Sequence, residues 1–104
     1  MAFPENLLLE IPNDGAGNAI VGTSDIVRID QMSDKGYDFI RAAGATFVGN
    51  LEGSVSMRNW TTIAALAASG QGAVGAHYNY VRVKIGTAGV LGATTELFVG
   101  GKVL

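Results

Sequence analysis

The sequence contains no cysteine in its 104 residues. Disulfide bonds, thiolate zinc sites and cysteine nucleophiles are therefore excluded, and stability has to come from packing or from assembly. Charged residues are also scarce, at 15% of the chain, and the formal net charge of −2 gives no field that would attract nucleic acid or an acidic membrane surface. We therefore expect neither nucleic acid nor a membrane among its partners.

Groups that could carry out catalysis are few and scattered. His77 is the only histidine, and the aspartates fall on turns and outward strand positions without an evident acid–base partner. The glycines of residues 70–75 match a dinucleotide fingerprint, but a strand pattern follows them where a helix is required. We therefore predict that the chain is not an enzyme and holds no cofactor and no metal.

The first residues contain a brief apolar run without a positively charged segment before it, which indicates neither a signal peptide nor a membrane span. Loop-forming residues follow from Pro12 to Asn18. Residues 1–12 are therefore interpreted as an N-terminal arm or an edge strand, and residues 13–104 as a single domain. An edge strand would pack on its own core, whereas an arm would lie on a neighbouring subunit.

Most of the chain alternates between short strand patterns and turn residues, which predicts an all-β fold: a small antiparallel β-sandwich or jelly-roll-like domain. The clearest strand spans residues 78–85, where Val81, Val83 and Ile85 alternate with polar residues. Another spans residues 46–57, with Leu51, Gly53, Val55 and Met57 predicted to face inward and Glu52 and Ser54 outward. One short helix is possible within residues 61–69, although the two threonines favour a strand in its first half.

Two glycine-containing stretches are predicted to separate strands. Residues 33–36 have the composition of a turn, and the glycine-rich residues 69–75 that of a flexible hairpin loop. From residue 59 to the end, the chain is predicted to form strand, turn, strand, turn and strand.

This C-terminal unit resembles the C-terminal half of small all-β virion proteins of tailed bacteriophages, which include capsid decoration (cement) proteins and head-fibre modules. An aromatic residue opens an apolar strand, a Gly/Ala loop and a Tyr-x-x-Val-Arg-Val strand follow, and a last apolar strand ends at a glycine. The resemblance covers a little under half of the chain. The matching positions are Trp60, Ile63, Gly70, Gly72, Tyr78, Val81, Arg82, Val83, Thr95, Leu97, Val99 and Gly100.

The resemblance implies a structural virion protein that is made in the host cytoplasm and binds the capsid exterior. It would bridge subunits of the major capsid protein as a homo-oligomer, a dimer or trimer at a symmetry axis, and stabilise the assembled shell. Two alternatives stay open. One is another phage module, such as a tail, baseplate or head-fibre adaptor, and the other is a carbohydrate-binding β-sandwich whose Trp60 and tyrosines would stack on sugars.

Residues for contact with partners are predicted from composition. Aromatic residues with arginine are enriched at the centres of protein interfaces, and a terminal apolar segment can reach a neighbouring subunit. The predicted interface residues are Phe3, Leu7, Leu8, Leu9, Tyr37, Phe39, Trp60, Tyr78, Tyr80 and Arg82.

Overall fold

The computed structural model describes residues 3–103, without the side chains of Phe3 and Pro4, and contains only β-strands and loops in that range. The predicted all-β class is confirmed, and the possible helix within residues 61–69 is instead a strand followed by a turn. Eleven strands follow one another along the chain: β1 (Phe3–Leu9), β2 (Asn18–Ala19), β3 (Gly22–Thr23), β4 (Val27–Arg28), β5 (Met32–Ile40), β6 (Val48–Ser54), β7 (Thr61–Ala65), β8 (Gly70–Ala73), β9 (Tyr80–Thr87), β10 (Gly89–Val90) and β11 (Glu96–Val103).

Four strands form a sheet around β11, here called the β11 sheet, in the order β1-β11-β5-β8. All of its neighbouring strands are antiparallel. The N-terminal strand β1 pairs along its whole length with β11, from Leu9 opposite Leu97 to Phe3 opposite Val103. Within the segment predicted as an arm or an edge strand, residues 3–9 therefore form an edge strand of this sheet in the isolated chain.

Five strands form a second antiparallel sheet around β9, here called the β9 sheet. The order is β3-β9-β6-β7, and β4 also pairs with β9. The short strands β2 and β10 pair separately with each other.

One hydrophobic core is shared by the two large sheets. Val81, Val83 and Ile85 of β9 are fully buried, as the alternation of residues 78–85 predicted, and so are Leu97 and Val99 of β11. Since successive side chains of a strand leave opposite faces, the residues between them point away from this core.

The predicted turn at residues 33–36 is wrong, because these residues lie inside β5. Asp34 has a φ of +51°, and the pairing of β5 with β11 shifts by one residue between Gly100 and Lys102. The turn-forming composition thus corresponds to an irregularity within one long strand, where a local change of backbone direction does not end the pairing.

The predicted hairpin loop at residues 69–75 is also wrong over most of its length. Gly70–Ala73 forms β8, which pairs with β5 from Gly36 to Phe39. All four residues of β8 are exposed, so backbone pairing with β5, and not burial of side chains, defines this strand.

The inward direction predicted for Val55 and Met57 is wrong, since these side chains are 53% and 47% exposed. Strand β6 ends at Ser54, whose Oγ accepts hydrogen bonds from the backbone N–H groups of Ser56 (3.3 Å) and Met57 (2.8 Å). Met57 adopts a φ of +66° in the turn that follows. The strand therefore stops three residues earlier than the sequence pattern indicates.

Two basic side chains are satisfied by backbone carbonyl groups instead of carboxylates. The guanidinium of Arg41 donates to the carbonyl oxygens of Leu66 (2.7 Å), Phe47 (2.9 Å) and Ala45 (3.2 Å), and it lies 4.4 Å above the Phe47 ring. Lys35 is 7% exposed, and its Nζ donates to the carbonyl oxygens of Tyr78 (2.7 Å) and Ala76 (3.2 Å). Both side chains connect segments that are distant in sequence.

Asp14 organises the loop that follows β1. Its Oδ1 accepts from the backbone N–H groups of Ala16 (2.8 Å) and Asn18 (3.2 Å), and its Oδ2 accepts from the Asn18 side-chain amide (3.0 Å). The hydrogen bond from the Asn18 side chain, followed by those from the backbone, holds the pKa of the Asp14 carboxyl below its ordinary value.

We predict that Arg41→Ala lowers the free energy of unfolding by about 2–4 kcal/mol, because partly buried carbonyl groups lose their donor. Urea denaturation followed by circular dichroism measures this change. The exposed Arg58→Ala is the matched control and should stay within about 0.5 kcal/mol of the wild type. Equal effects of the two substitutions would contradict the role assigned to Arg41.

We predict that Asn18→Ala raises the pKa of Asp14 toward its ordinary value, because the largest stabilising contact of the carboxylate is lost. A carboxyl with a depressed pKa stabilises the fold above its unfolded pKa, and this stabilisation is lost as the pH falls through the folded pKa. Carbon-13 NMR titration of the Asp14 carboxyl measures the shift. An unchanged titration midpoint of Asp14 in the Asn18→Ala variant would show that Asn18 does not lower the pKa of Asp14.

Candidate interaction surface

A stacked ion pair lies on the outer side of the β9 sheet. Glu52 of β6 and Arg82 of β9 are directly opposite each other, and the Arg82 Nε donates to the Glu52 Oε1 at 2.9 Å. The guanidinium carbon of Arg82 lies 4.1 Å from the centre of the Trp60 ring. The side chains of Arg82 and Glu52 are only 21% and 10% exposed, so the pair is well shielded for a position on an outer sheet face.

The position of Trp60 follows from the turn between β6 and β7. Ser54 caps the end of β6, and the left-handed backbone of Met57 turns the chain back toward the sheet. Trp60 then directly precedes β7, which pairs with β6 through Gly53 and Thr61. The half-buried indole is therefore placed over Arg82 by the backbone on both sides of it.

Tyr80 continues this face along β9, since it lies two residues before Arg82 and opposite Ser54. Arg28 of β4 is opposite Tyr80 on the other side and forms an ion pair with Asp30, with Nε and Oδ1 2.6 Å apart. The hydrogen bond from Arg28 lowers the pKa of Asp30, and the same bond raises the pKa of Arg28. This pair is exposed, with Arg28 at 72%.

The strands of the two sheets carry opposite charge. Those of the β9 sheet contain Arg28, Arg82 and Lys84 against Glu52. Those of the β11 sheet contain an excess of acids over lysines: Glu5, Asp34, Asp38 and Glu96 against Lys35 and Lys102. A partner that meets the β9 sheet therefore meets a weakly basic face with an aromatic centre.

The predicted interface residues divide into four groups. Trp60, Tyr80 and Arg82 lie together on the outer face of the β9 sheet, which we call the Trp60 surface together with Glu52. Leu8 is 62% exposed on the outer face of the β11 sheet. The side chain of Phe3 lies outside the described part of the chain.

The remaining predicted interface residues turn toward the core in the isolated chain, and for the two that are buried, Leu9 and Phe39, the assignment to a surface is wrong. Leu9 and Phe39 are 3% and 1% exposed. Leu7, Tyr37 and Tyr78 are half-buried and pack against the same core. Tyr37 and Tyr78 are therefore separated from Tyr80, which faces the other way.

Glu52 was missed as a member of the Trp60 surface. The alternation correctly predicted that its side chain points outward, but the side chain was interpreted as a solvated charge and not as the partner of Arg82. The opposite charges of Glu52 and Arg82 at corresponding positions of two clean strand patterns are a signal for a cross-strand pair. The pair is shielded because Trp60 covers Arg82. Trp60 follows the irregular turn between β6 and β7, and its position could not be predicted from the strand patterns.

Within residues 3–103, no group of three or more histidine, aspartate or glutamate side chains is placed to hold a metal ion. The same part of the chain has no helix that is long and apolar enough to cross a membrane. Comparison with protein-family models, curated proteins and solved structures finds no match to this chain.

We predict that Arg82→Ala lowers the free energy of unfolding by about 1–3 kcal/mol, because the shielded Glu52 carboxylate loses its charged donor. The double variant Arg82→Ala with Glu52→Gln should be less destabilised than the single variant, since no unpaired charge remains. Arg28→Ala removes a matched but exposed ion pair and should cost less than about 0.5 kcal/mol. A double variant that is as unstable as Arg82→Ala would contradict this account.

Proposed function

We propose that this chain is a non-catalytic structural protein of a bacteriophage virion, which decorates the outside of the capsid and stabilises it by bridging subunits of the major capsid protein. The Trp60 surface is the observation that carries this proposal. Tryptophan, tyrosine and arginine are the residues that most often dominate the energy of protein interfaces. We further propose that the two sheets with their shared core belong to the β-sandwich class.

The geometry of the Trp60 surface supports its use as a contact. Arg82 is already fixed between Glu52 and the Trp60 ring, so little side-chain entropy remains to be lost on binding. Val55 and Met57 expose apolar side chains in the turn just before Trp60. An ordered aromatic centre with apolar neighbours gives a partner area to bury, which suits a protein surface better than a soluble substrate.

The charge of this face indicates the chemistry of its partner. Arg82 is neutralised by Glu52, whereas Lys84 is exposed on the same side of β9. The capsid surface that meets the β9 sheet is accordingly apolar at its centre and weakly acidic at its margin. Such a surface, shared between two capsid subunits, exists only after assembly.

Stabilisation then follows from linkage. A protein that binds the assembled shell but not free subunits stabilises the shell. The free energy of this stabilisation increases with the logarithm of one plus the ratio of its free concentration to its dissociation constant. A homo-oligomer at a symmetry axis would multiply this effect. The outer edges of β1 and β8, which pair with no further strand among residues 3–103, are available for contacts between copies of the chain.

The proposal predicts that the purified chain sediments with assembled capsids of its source phage and not with unassembled capsid protein. Trp60→Ala should weaken this binding by about thirtyfold, the effect of losing a central contact of about 2 kcal/mol. Val55→Glu is a second variant with little risk to the fold, because this exposed side chain lies outside the strands, and it should weaken binding to an acidic surface.

Ile40→Ala is the matched control, since it removes an exposed apolar side chain from β5, an inner strand of the other sheet, and should leave sedimentation unchanged. Circular dichroism of each variant separates loss of binding from loss of fold. Two results would contradict the proposed function. One is a folded wild-type chain that does not sediment with capsids, and the other is folded Val55→Glu and Trp60→Ala variants that sediment with capsids as well as the wild type does.

A further inference from the structure

The outer face of the β11 sheet contains a groove that runs across its strands. Leu97 and Val99 point into the core, so Phe98 and Gly100 point outward. Gly100 is opposite Gly36 of β5, and Gly36 is opposite Ala73 of β8. Three neighbouring strands therefore present almost no side chain at the same level, and the resulting depression has a volume of about 470 Å³.

Side chains from the adjoining rows form the walls of this groove. One wall is the outward row Phe98, Asp38 and Gln71, which are directly opposite one another on β11, β5 and β8. Asp34 lines the side of the groove opposite this wall, and its carboxylate is 3.4 Å from the Lys102 ammonium. Asn6 of β1 closes the end next to Gly100.

The glycine at position 100 is required by this arrangement. A β-carbon built there would collide with the Asn6 side-chain oxygen and would lie 2.8 Å from the Glu5 carbonyl oxygen. Gly100 thus lets the Asn6 amide lie over the floor of the groove. At Gly36 a β-carbon would lie 3.1 Å from the Gly72 carbonyl oxygen, so this part of the floor is also nearly closed to larger residues.

We propose that this groove binds a neutral saccharide. The exposed Asn6 and Gln71 amides offer both donors and acceptors, and the exposed Asp38 carboxylate offers acceptors, which together match the hydroxyl groups of a sugar. The half-buried Phe98 ring provides an apolar surface for the C–H groups of a sugar ring. The volume falls in the range of about 300–1,000 Å³ that is usual for small-ligand sites.

Other classes of ligand fit this groove less well. Among the described residues that line it, none is basic, and although Lys102 offsets the charge of Asp34, the exposed Asp38 carboxylate disfavours a phosphate or a sialylated sugar. An extended peptide adds to a sheet through unpaired backbone groups at a sheet edge, whereas the centre of this groove lies over β11 and β5, which are paired on both sides.

The inferred site differs from the stacking platform that the sequence indicated. Trp60 lies on the other sheet and is covered on one face by Arg82. Tyr37 borders the groove, but Tyr37 and Tyr78 pack against the core and do not present a free ring face as a platform. The groove also lies on the sheet opposite to the Trp60 surface. Binding of a capsid by the β9 sheet and of a saccharide by the β11 sheet are therefore independent properties of the chain.

The test is a glycan array probed with the labelled chain, followed by NMR titration of the nitrogen-15-labelled protein with the neutral oligosaccharide that gives the highest signal. We expect binding to neutral glycans over sialylated ones, with amide shifts centred on Gly36, Phe98 and Gly100. The exposed Asp38→Ala and Gln71→Ala should each weaken binding by about tenfold, the loss expected for one charged or bidentate hydrogen-bonding group.

Lys84→Ala on the β9 sheet is the control and should bind the oligosaccharide as the wild type does. The absence of amide shifts with neutral oligosaccharides at tens of millimolar would overturn the inference, and so would unchanged binding by folded Asp38→Ala and Gln71→Ala. Failure of the capsid proposal alone would appear differently, as saccharide binding without co-sedimentation.

Discussion

The alternation of the two central strands is the constraint on which the rest of the structure depends. Val81, Val83 and Ile85 of β9 are buried together with Leu97 and Val99 of β11, in a chain that has no disulfide to hold the sheets. Because side chains alternate along a strand, this packing also determines the two outer faces. Arg82 is outward for the same reason that Val81 and Val83 are inward.

The two outer faces are built differently on this common base. On the β9 sheet, large side chains fill the outer face, and Trp60 covers the pair of Arg82 and Glu52. On the β11 sheet, glycines at facing positions leave the backbone open. A filled face provides area for a large partner, whereas an open face provides a recess for a small ligand. The proposed capsid contact therefore uses large outward side chains, and the proposed saccharide site uses their absence.

The sequence allowed prediction of the parts of the fold that depend on local periodicity. The all-β class and the alternation of residues 80–85 were correct, because long regular alternation has few other structural explanations, but the strand begins at Tyr80 and not at Tyr78. The glycine-rich residues 69–75 were predicted as a hairpin loop and the polar residues 33–36 as a turn, yet residues 70–73 form β8 and residues 33–36 lie within β5. Their pairing is determined by strands distant in sequence, and local composition does not report such partners.

The candidate surface could be predicted only in part for a related reason. Composition identified Trp60, Tyr80 and Arg82, but it grouped them with Tyr37, Tyr78 and Phe39, which the fold directs to the core. Periodicity assigns a residue to one face of a strand, but it does not tell whether another segment covers that face. Glu52 and the glycine groove were missed because both depend on the cross-strand register.

The burial of Lys35 has a consequence for the chemical reactivity of the chain. The sequence contains three lysines, and the ammonium of Lys35 is held by two carbonyl oxygens beneath the surface. The other two are exposed on opposite sides of the molecule, Lys84 on the β9 sheet and Lys102 on the β11 sheet. Amine-directed cross-linkers and labels therefore have one lysine on each face, and the lysine that becomes protected in a complex identifies the face that the partner covers.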